Sequence, residues 1–568
     1  MIRVAATISQ CLSRRGLHSA TALFSARRDE HYRQQLQDAI FDMYREEKDG
    51  RMHLPTFFND LASLGIRKDD PRLRQMILAI REMGHLEEDG LFGQQHGNTE
   101  KFKKQMHISR EQFQNCLGNS SIGVIGKALK KQLVIPDWAS FTTIMDDLFD
   151  STRKNNEGQV ANYIPQLAKT NPSLWSMSIC TVDGQRQSWG DAYKLFCLQS
   201  VSKAFLYALV HDELGPEQLH SYIGQEPSGR LFNDICLDYN HRPHNPLINA
   251  GAILATSLMK MKDSLADRFD FVIRQMFRFA GCQGHIGFNN SVFLSERETA
   301  DRNYALSYYM REHGCFPPDT NIQDTLDLYF QLCSIETNCD TLAVMAGTFA
   351  NGGVNPLTDE RLINNRACRD VLSLMYSCGM YDWSGQFAFR VGLPAKSGVS
   401  GDMMIVIPNV MGIALYSPRL DPLGNTVRGV KLAEALIQKF NFHNYDSLVY
   451  SDCQKIDPRR SFSETDQDQT IRFLYAAKLG DISAMKRYLL LGWNVHDRDY
   501  DERTTLHVAA SEGNVGCLEF LLNRWKESPE PKDRFGKTPL DDAKFFGHAS
   551  CAIVLTAARE HWKITAQD

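Results

Sequence analysis

Thr504, Leu506, Ala509 and Gly513 recur as Thr538, Leu540, Ala543 and Gly547, a shift of 34 residues, and Ala476 and Gly480 begin an earlier copy. No other feature of the chain restricts its segment so tightly. A period of this length marks a helical unit that must stack on copies of itself, because one unit alone cannot bury its apolar face. The array is short, so it needs caps or a neighbouring surface. It also occupies only the end of the chain. At 568 residues the whole is too long for one core, and length alone suggests about three or four domains.

Composition limits what those domains do. With 43% hydrophobic and 23% charged residues and a net charge of -5, the chain reads as globular and lacks the basic field that nucleic-acid binding requires. Its 14 cysteines include no Cys-x-x-Cys pair, which argues for reduced thiols over a zinc ribbon or a redox site. The longest apolar stretch, Met403 to Tyr416, contains Pro408 and reads as two strands, so no membrane span is expected.

Residues 1–28 carry Arg3, Arg14, Arg15, Arg27 and Arg28 with several serines and no acidic residue before Asp29, the pattern of a mitochondrial transit peptide. Residues 29–135 show helical periodicity, with Leu36, Ile40, Met43 and Tyr44 on one face and Phe57, Phe58, Leu61 and Leu64 on another. The turn from Glu46 to Met52 has the outline of a calcium hand, but Arg45 and Thr56 stand where the loop needs an aspartate and a bidentate glutamate. No calcium is expected there. The stretch Gly123 to Ala128 lacks the spacing of a phosphate loop, and His241 and His244 flank Pro243 without a third ligand, so no metal is expected either.

The segment 136–440 reads as an α+β domain. Strand-forming residues from Leu174 to Trp189 flank Asp183-Gly184 as a hairpin, helical segments run to Tyr381, and strand patterns follow at Gln386 to Gly392 and Met403 to Tyr416. The sheet would be assembled from distant segments. A polar linker, 441–467, leads to the repeats at 468–568.

Inside this domain, Ser200 and Lys203 stand three residues apart in an apolar, helix-compatible run, with Ser200 expected in the first helical turn. A serine hydroxyl needs a base, and lysine serves as one only when burial lowers its pKa. Ser-x-x-Lys also occurs at Ser151/Lys154, Ser257/Lys260 and Ser483/Lys486, but only Lys203 is framed by apolar residues on both sides.

The order Ser200-x-x-Lys203, Tyr381, Lys396-Ser397-Gly398 resembles the serine β-lactamases and penicillin-binding proteins. Longer stretches, Asn162 to Ala168, Pro243 to Ala252, Ser295 to Asn303, Tyr329 to Ser334 and Gly392 to Val399, resemble glutaminase motifs. The Thr505 to Ala510 and Gly536 to Leu540 stretches are similar to ankyrin repeats, and the segment at Gly50 to an EF-hand. The layout as a whole resembles the animal mitochondrial glutaminases of kidney and liver type.

That resemblance implies hydrolysis of L-glutamine to L-glutamate and ammonia, without metal or organic cofactor, in the mitochondrial matrix. Ser200 would attack the side-chain amide, Lys203 and Tyr381 would share the proton transfers, and the Ser200 and Val399 backbone N–H groups would form the oxyanion hole. Glu296 would hold the substrate ammonium, Asn249, Asn303 and Tyr329 its carboxylate, and Tyr163 would close over the site. The family's assembly implies a homotetramer and filaments, and the ankyrin repeats a protein partner. The loop containing Phe232, Asn233 and Asp234 corresponds to one that gates phosphate activation, where the family usually carries lysine in place of Asp234. A carboxylate there argues against phosphate activation by charge repulsion. Two alternatives stand beside this reading: another serine acyl hydrolase of the same fold, and a mitochondrial scaffold whose ankyrin repeats are the working part.

Overall fold

A computed structural model describes residues 33–34, 36–46, 50–83, 107–230, 233–446, 455–460, 462–490, 494–522 and 528–565, so the expected leader lies outside the described residues. The chain forms two compact units, 1–459 and 460–568.

The first unit is organised on an antiparallel sheet of strands β1 (Ser176–Thr181), β2 (Arg186–Gly190), β3 (Ala395–Ser397), β4 (Asp402–Ile407) and β5 (Met411–Tyr416). Their order is β2-β1-β5-β4-β3, so strands from both ends of the domain's sequence meet in the middle. Met403, Ile405, Ile413 and Leu415 pack toward the helices Trp138–Arg153 and Val427–Lys439. Met404, Val406 and Ala414 point the other way, into the larger helical core that includes the helix Cys339–Ala350. Layers on both faces explain why β4 and β5 are apolar throughout instead of alternating. Each fully buried side chain of this kind contributes roughly 1.5–3 kcal/mol.

The hairpin at Asp183-Gly184 forms as read, with Met177 opposite Trp189. The strand expected at Gln386 to Gly392 does not: Ser384–Arg390 is a helix. The alternation Phe387-Ala388-Phe389 suggested period two, but Phe387 is buried while Phe389 is 85% exposed. Trp383, Phe387 and Val391 are spaced by four, the helical period, and the Trp383 and Phe387 rings meet at 5.8 Å.

The N-terminal helices, among them Leu54–Ser63, Arg74–Glu82 and Arg110–Cys116, enclose a core of Phe41, Phe57, Phe58, Leu61, Ile80 and Phe113. They also enclose a ribbon absent from the helical reading: Met52–His53 pairs antiparallel with His107–Ile108. Two-residue strands are too short for period two to register in sequence. This module docks on the β1–β2 hairpin, where Gln185 Nε2 donates to the Leu64 carbonyl at 2.9 Å and an Arg72 guanidinium nitrogen donates to the Asp183 carbonyl at 2.8 Å.

In the second unit three helix pairs stack: Phe462–Leu479 with Ile482–Leu490, Thr505–Ser511 with Val515–Leu522, and Pro539–Phe545 with Ala549–Thr565. The first helix begins inside the stretch read as linker. The recurring residues have visible causes. Thr504 and Thr538 are N-caps in reciprocal capping boxes with His507 and Asp541. Gly513 and Gly547 follow the same helices at φ of 77° and 79°, where a side chain would be strained. Leu506, Ala509, Leu540 and Ala543 fill the shared core.

Candidate active site

Ser200 lies at the end of a short connection. Phe196 and Cys197 pair with Thr337 and Glu336, the Leu198 N–H donates to the Ile335 carbonyl, and Gln199 then turns at a left-handed φ of 44°. Ser200 therefore falls in a 3-10 turn, Gln199–Val201, and not in the first turn of the α-helix, which starts at Ser202. The helix α1 (Ser202–Leu214) is buried on every face from Ser202 to His211. It carries Lys203 into the core at 1% exposure. Burial pushes the Lys203 pKa down to about 8 from its ordinary 10.5. The other three lysines of the Ser-x-x-Lys pattern are solvated or, for Lys260, paired with Glu213 at 3.2 Å.

Asn249, at the start of the helix α2 (Asn249–Leu258), joins the polar groups around Lys203. Its Oδ1 accepts from Lys203 Nζ at 2.6 Å and from the Tyr329 hydroxyl at 3.2 Å, while its Nδ2 donates to Asn303 Oδ1 at 3.1 Å. Glu296 stands beside this group, half-buried, with Oε1 accepting from the Tyr163 hydroxyl at 2.5 Å and from Gln199 Nε2 at 2.9 Å. Burial raises the Glu296 pKa, and the two donors and Lys203 partly offset it. Half of Tyr163 faces solvent, yet its hydroxyl is sunk against Glu296, which fits a residue that covers the site from outside.

From the other side comes Tyr381, at a left-handed φ of 50° in a 3-10 turn. Its hydroxyl faces the Ser200 side chain; burial raises its pKa, and the serine opposes that rise. Two strained backbone positions, Gln199 and Tyr381, thus flank Ser200. Gly379 permits the approach of this turn to β3: a Cβ there would stand 1.7 Å from the Ala395 carbonyl oxygen. Lys396 of β3 places its amine 4.6 Å from the Tyr381 ring centroid and donates to the Ser397 carbonyl. Burial and the nearby Lys203 drive the Lys396 pKa well below its ordinary value. Val399 follows in the turn between β3 and β4. Ser400 Oγ lies 2.7 Å from the Cys197 carbonyl oxygen and 2.7 Å from Asp402 Oδ1, which ties that turn to the segment ahead of Ser200. One hydroxyl proton cannot serve both oxygens. Burial raises the Asp402 pKa to about 7, so a protonated carboxyl can supply the second hydrogen.

The structure therefore brings together Ser200, Lys203, Tyr381, Tyr163, Asn249, Glu296, Asn303 and Tyr329, with Val399 on the adjoining turn. Asn233 and Asp234 lie apart from the serine, and Phe232 lies outside the described residues. Asp234 lines a cavity of about 640 Å³ with Arg230, Ile248, Cys378, Tyr381 and Asp382, so Tyr381 belongs to both places. The sequence reading passed over Gln199, Ser400 and Asp402. Each is an ordinary polar residue beside a motif, and nothing in its spacing distinguishes it.

A serine in a strained turn before a buried lysine, with a phenol and a Lys-Ser-Gly strand close by on an antiparallel sheet, is the layout of the β-lactamase-like fold. The family comparison narrows this. The glutaminase profile matches residues 158–445, an EF-hand profile 36–136, and a profile of three ankyrin repeats 473–568. The chain is 63% identical over 532 residues to "Putative glutaminase 3" of Caenorhabditis elegans, covering 94% of this chain and 89% of that one. It is 44% identical over 520 residues to "Glutaminase liver isoform, mitochondrial" of Mus musculus, covering 92% and 83%. Among solved structures, "Mglu in its native form" superposes with a TM-score of 0.50 at 35% identity, covering 52% of this chain and 71% of that one. The chain belongs to the glutaminase family, and its reaction is the hydrolysis of L-glutamine to L-glutamate and ammonia.

Proposed function

We propose that this hydrolysis runs through a Ser200 acyl-enzyme with Lys203 and Tyr381 as the proton-transfer groups. The observation that carries the reading is the buried Tyr381 phenol facing Ser200 while a buried, weakly basic Lys203 stands one turn along. With a pKa of about 8, Lys203 has a substantial neutral fraction near neutrality and accepts the Ser200 proton as Oγ bonds to the amide carbon. Tyr381, held protonated by its raised pKa, donates to the amide nitrogen as the C–N bond breaks and ammonia leaves. The lysine's proton then restores the phenol. Water repeats the sequence on the ester and frees glutamate. The Ser200 and Val399 N–H groups would stabilise the oxyanion, and losing one such donor costs about 2.7–4 kcal/mol in comparable sites.

The substrate's charged end fits the polar cluster. An arriving ammonium favours the ionised form of Glu296, whose two hydrogen-bond donors, the Tyr163 hydroxyl and Gln199 Nε2, are already in place. Asn249 Oδ1 is engaged by Lys203 and Tyr329, which leaves the second hydrogen of its Nδ2 and the Asn303 amide N–H groups to donate to the α-carboxylate, and the Tyr329 hydroxyl joins them by turning away from Asn249 Oδ1. Hydroxylamine tests the intermediate. An acyl-enzyme partitions between water and this nucleophile, giving γ-glutamyl hydroxamate without faster ammonia release when acylation limits. Absence of hydroxamate at saturating hydroxylamine would rule the intermediate out.

The pH dependence follows from Lys203. The base must be neutral, so kcat/KM is expected to rise with pH, reach half its maximum near pH 8 and level off above it. A pH–rate profile checks this; a rising limb centred below pH 6 would remove Lys203 as the base.

Asp234 carries the regulatory reading. Burial, and after it the neighbouring Asp234, raise the Asp382 pKa, and both carboxylates line the cavity that Arg230 also lines. Weak activation by phosphate is expected, and Asp234→Lys is expected to increase the ratio of activities with and without phosphate several-fold. An unchanged ratio in assays across a phosphate series would separate this loop from activation.

The acid-free leader and the mouse and rat relatives described as mitochondrial support a mitochondrial address, and we assign the matrix. A homotetramer, a five-part division at 28, 135, 440 and 467, and a protein partner for the ankyrin repeats complete the proposal.

A further inference from the structure

We propose that Glu46, His53 and His107 form a site for a divalent transition-metal ion of the zinc class on the ribbon of the N-terminal module. Among the described residues, theirs is the one convergence of three such side chains whose ligand atoms all lie within 4.8 Å of one another.

The fold creates this convergence. Antiparallel pairing puts His53 directly opposite His107, and opposed side chains on one face stand close enough to share a ligand. Their ring centroids are 4.9 Å apart at 41°. Glu46 reaches in from the turn after the first helix, its Oε2 3.4 Å from His107 Nε2. Thr56 Oγ1 lies 2.7 Å from His53 Nδ1, the kind of bond that fixes a ligand imidazole's tautomer and orientation.

Donor chemistry selects the ion. Calcium wants six to eight oxygens, and this loop has Arg45 and Thr56 at its two main ligand positions. Two imidazoles and one carboxylate instead match zinc and its neighbours, with water free to complete a tetrahedron. An ion about 2 Å from each ligand atom would draw these atoms closer together than they stand in its absence. Bound metal would fasten the turn at Glu46 to both strands of the ribbon. Residues 46, 53 and 107 form no short-range motif, which is why the sequence reading expected no metal.

Cobalt(II) titration of the full chain, followed by visible absorption, tests the site. One equivalent with four- or five-coordinate d–d bands, free of thiolate charge transfer and displaced by zinc, is expected. The band should vanish in His107→Gln, and affinity should fall at least tenfold in Glu46→Gln. Glu46 is exposed and remote from Ser200, so retained glutaminase activity in Glu46→Gln serves as the folding control. Unchanged cobalt binding in Glu46→Gln, a thiolate charge-transfer band in place of the d–d signal, or no bound equivalent in the wild type would overturn the proposal.

Discussion

Ser200→Ala is expected to lower kcat by about 10⁴-fold or more while KM stays within a few-fold, as removing the nucleophile from a preorganised hydrolase does. The reasoning is local. Removing one oxygen deletes the bond-forming atom but leaves Glu296 bonded to Tyr163 and Gln199, and Asn249 to Asn303 and Tyr329, so substrate still has its anchors. Ammonia release under steady-state conditions measures the loss, and calorimetric binding of glutamine to the inactive variant measures what remains. Activity within tenfold of wild type would place the nucleophile elsewhere and return the other acyl hydrolase readings to consideration.

Lys203→Met should lower kcat by about 10³- to 10⁴-fold and abolish the rising limb of the pH–rate profile. Methionine occupies a similar volume without the amine, so packing in the fully buried α1 is conserved and the melting temperature should hold or rise. A buried ammonium carries a desolvation penalty that the apolar side chain does not. Asn249 Oδ1 keeps its bond from Tyr329, which limits the loss of order in the carboxylate end. Because Ser200 and Lys203 act in one step, the double variant should be little slower than Ser200→Ala alone; independent roles would instead multiply the two losses. Survival of the limb near pH 8 in Lys203→Met would assign that titration to another group.

The two substitutions probe a site whose parts were unequally legible. Ser200, Lys203 and Tyr381 lie in motifs, and an apolar frame distinguished Lys203 from three other lysines at the same spacing. Glu296, Asn249 and Asn303 could be named by resemblance, but their partnership could not, because residues 46 to 54 positions apart meet only when α2 and its neighbours pack. Gln199 and Asp402 carried no signal at all. Their importance lies in a left-handed turn and in a buried carboxyl, and neither conformation nor burial is written into a residue's identity. The misread strand at Gln386 failed for a related reason. Over seven residues, period two and period four are both satisfied, and packing of Phe387 decided between them.

What the sequence determined by itself was whatever repeats or acts locally. The 34-residue period fixed the helix pairs of the second unit, since each Thr cap and each closing glycine works within its own repeat. The hairpin at Asp183-Gly184 and the apolar run of β4 and β5 were legible for the same reason. Tertiary structure alone decided where distant segments meet: β1 beside β5, Tyr381 against Ser200, and His53 across from His107. Those contacts depend on burying both faces of one sheet and pairing two short strands. Such choices arise from the packing free energy of the whole unit, which no local pattern in the chain encodes.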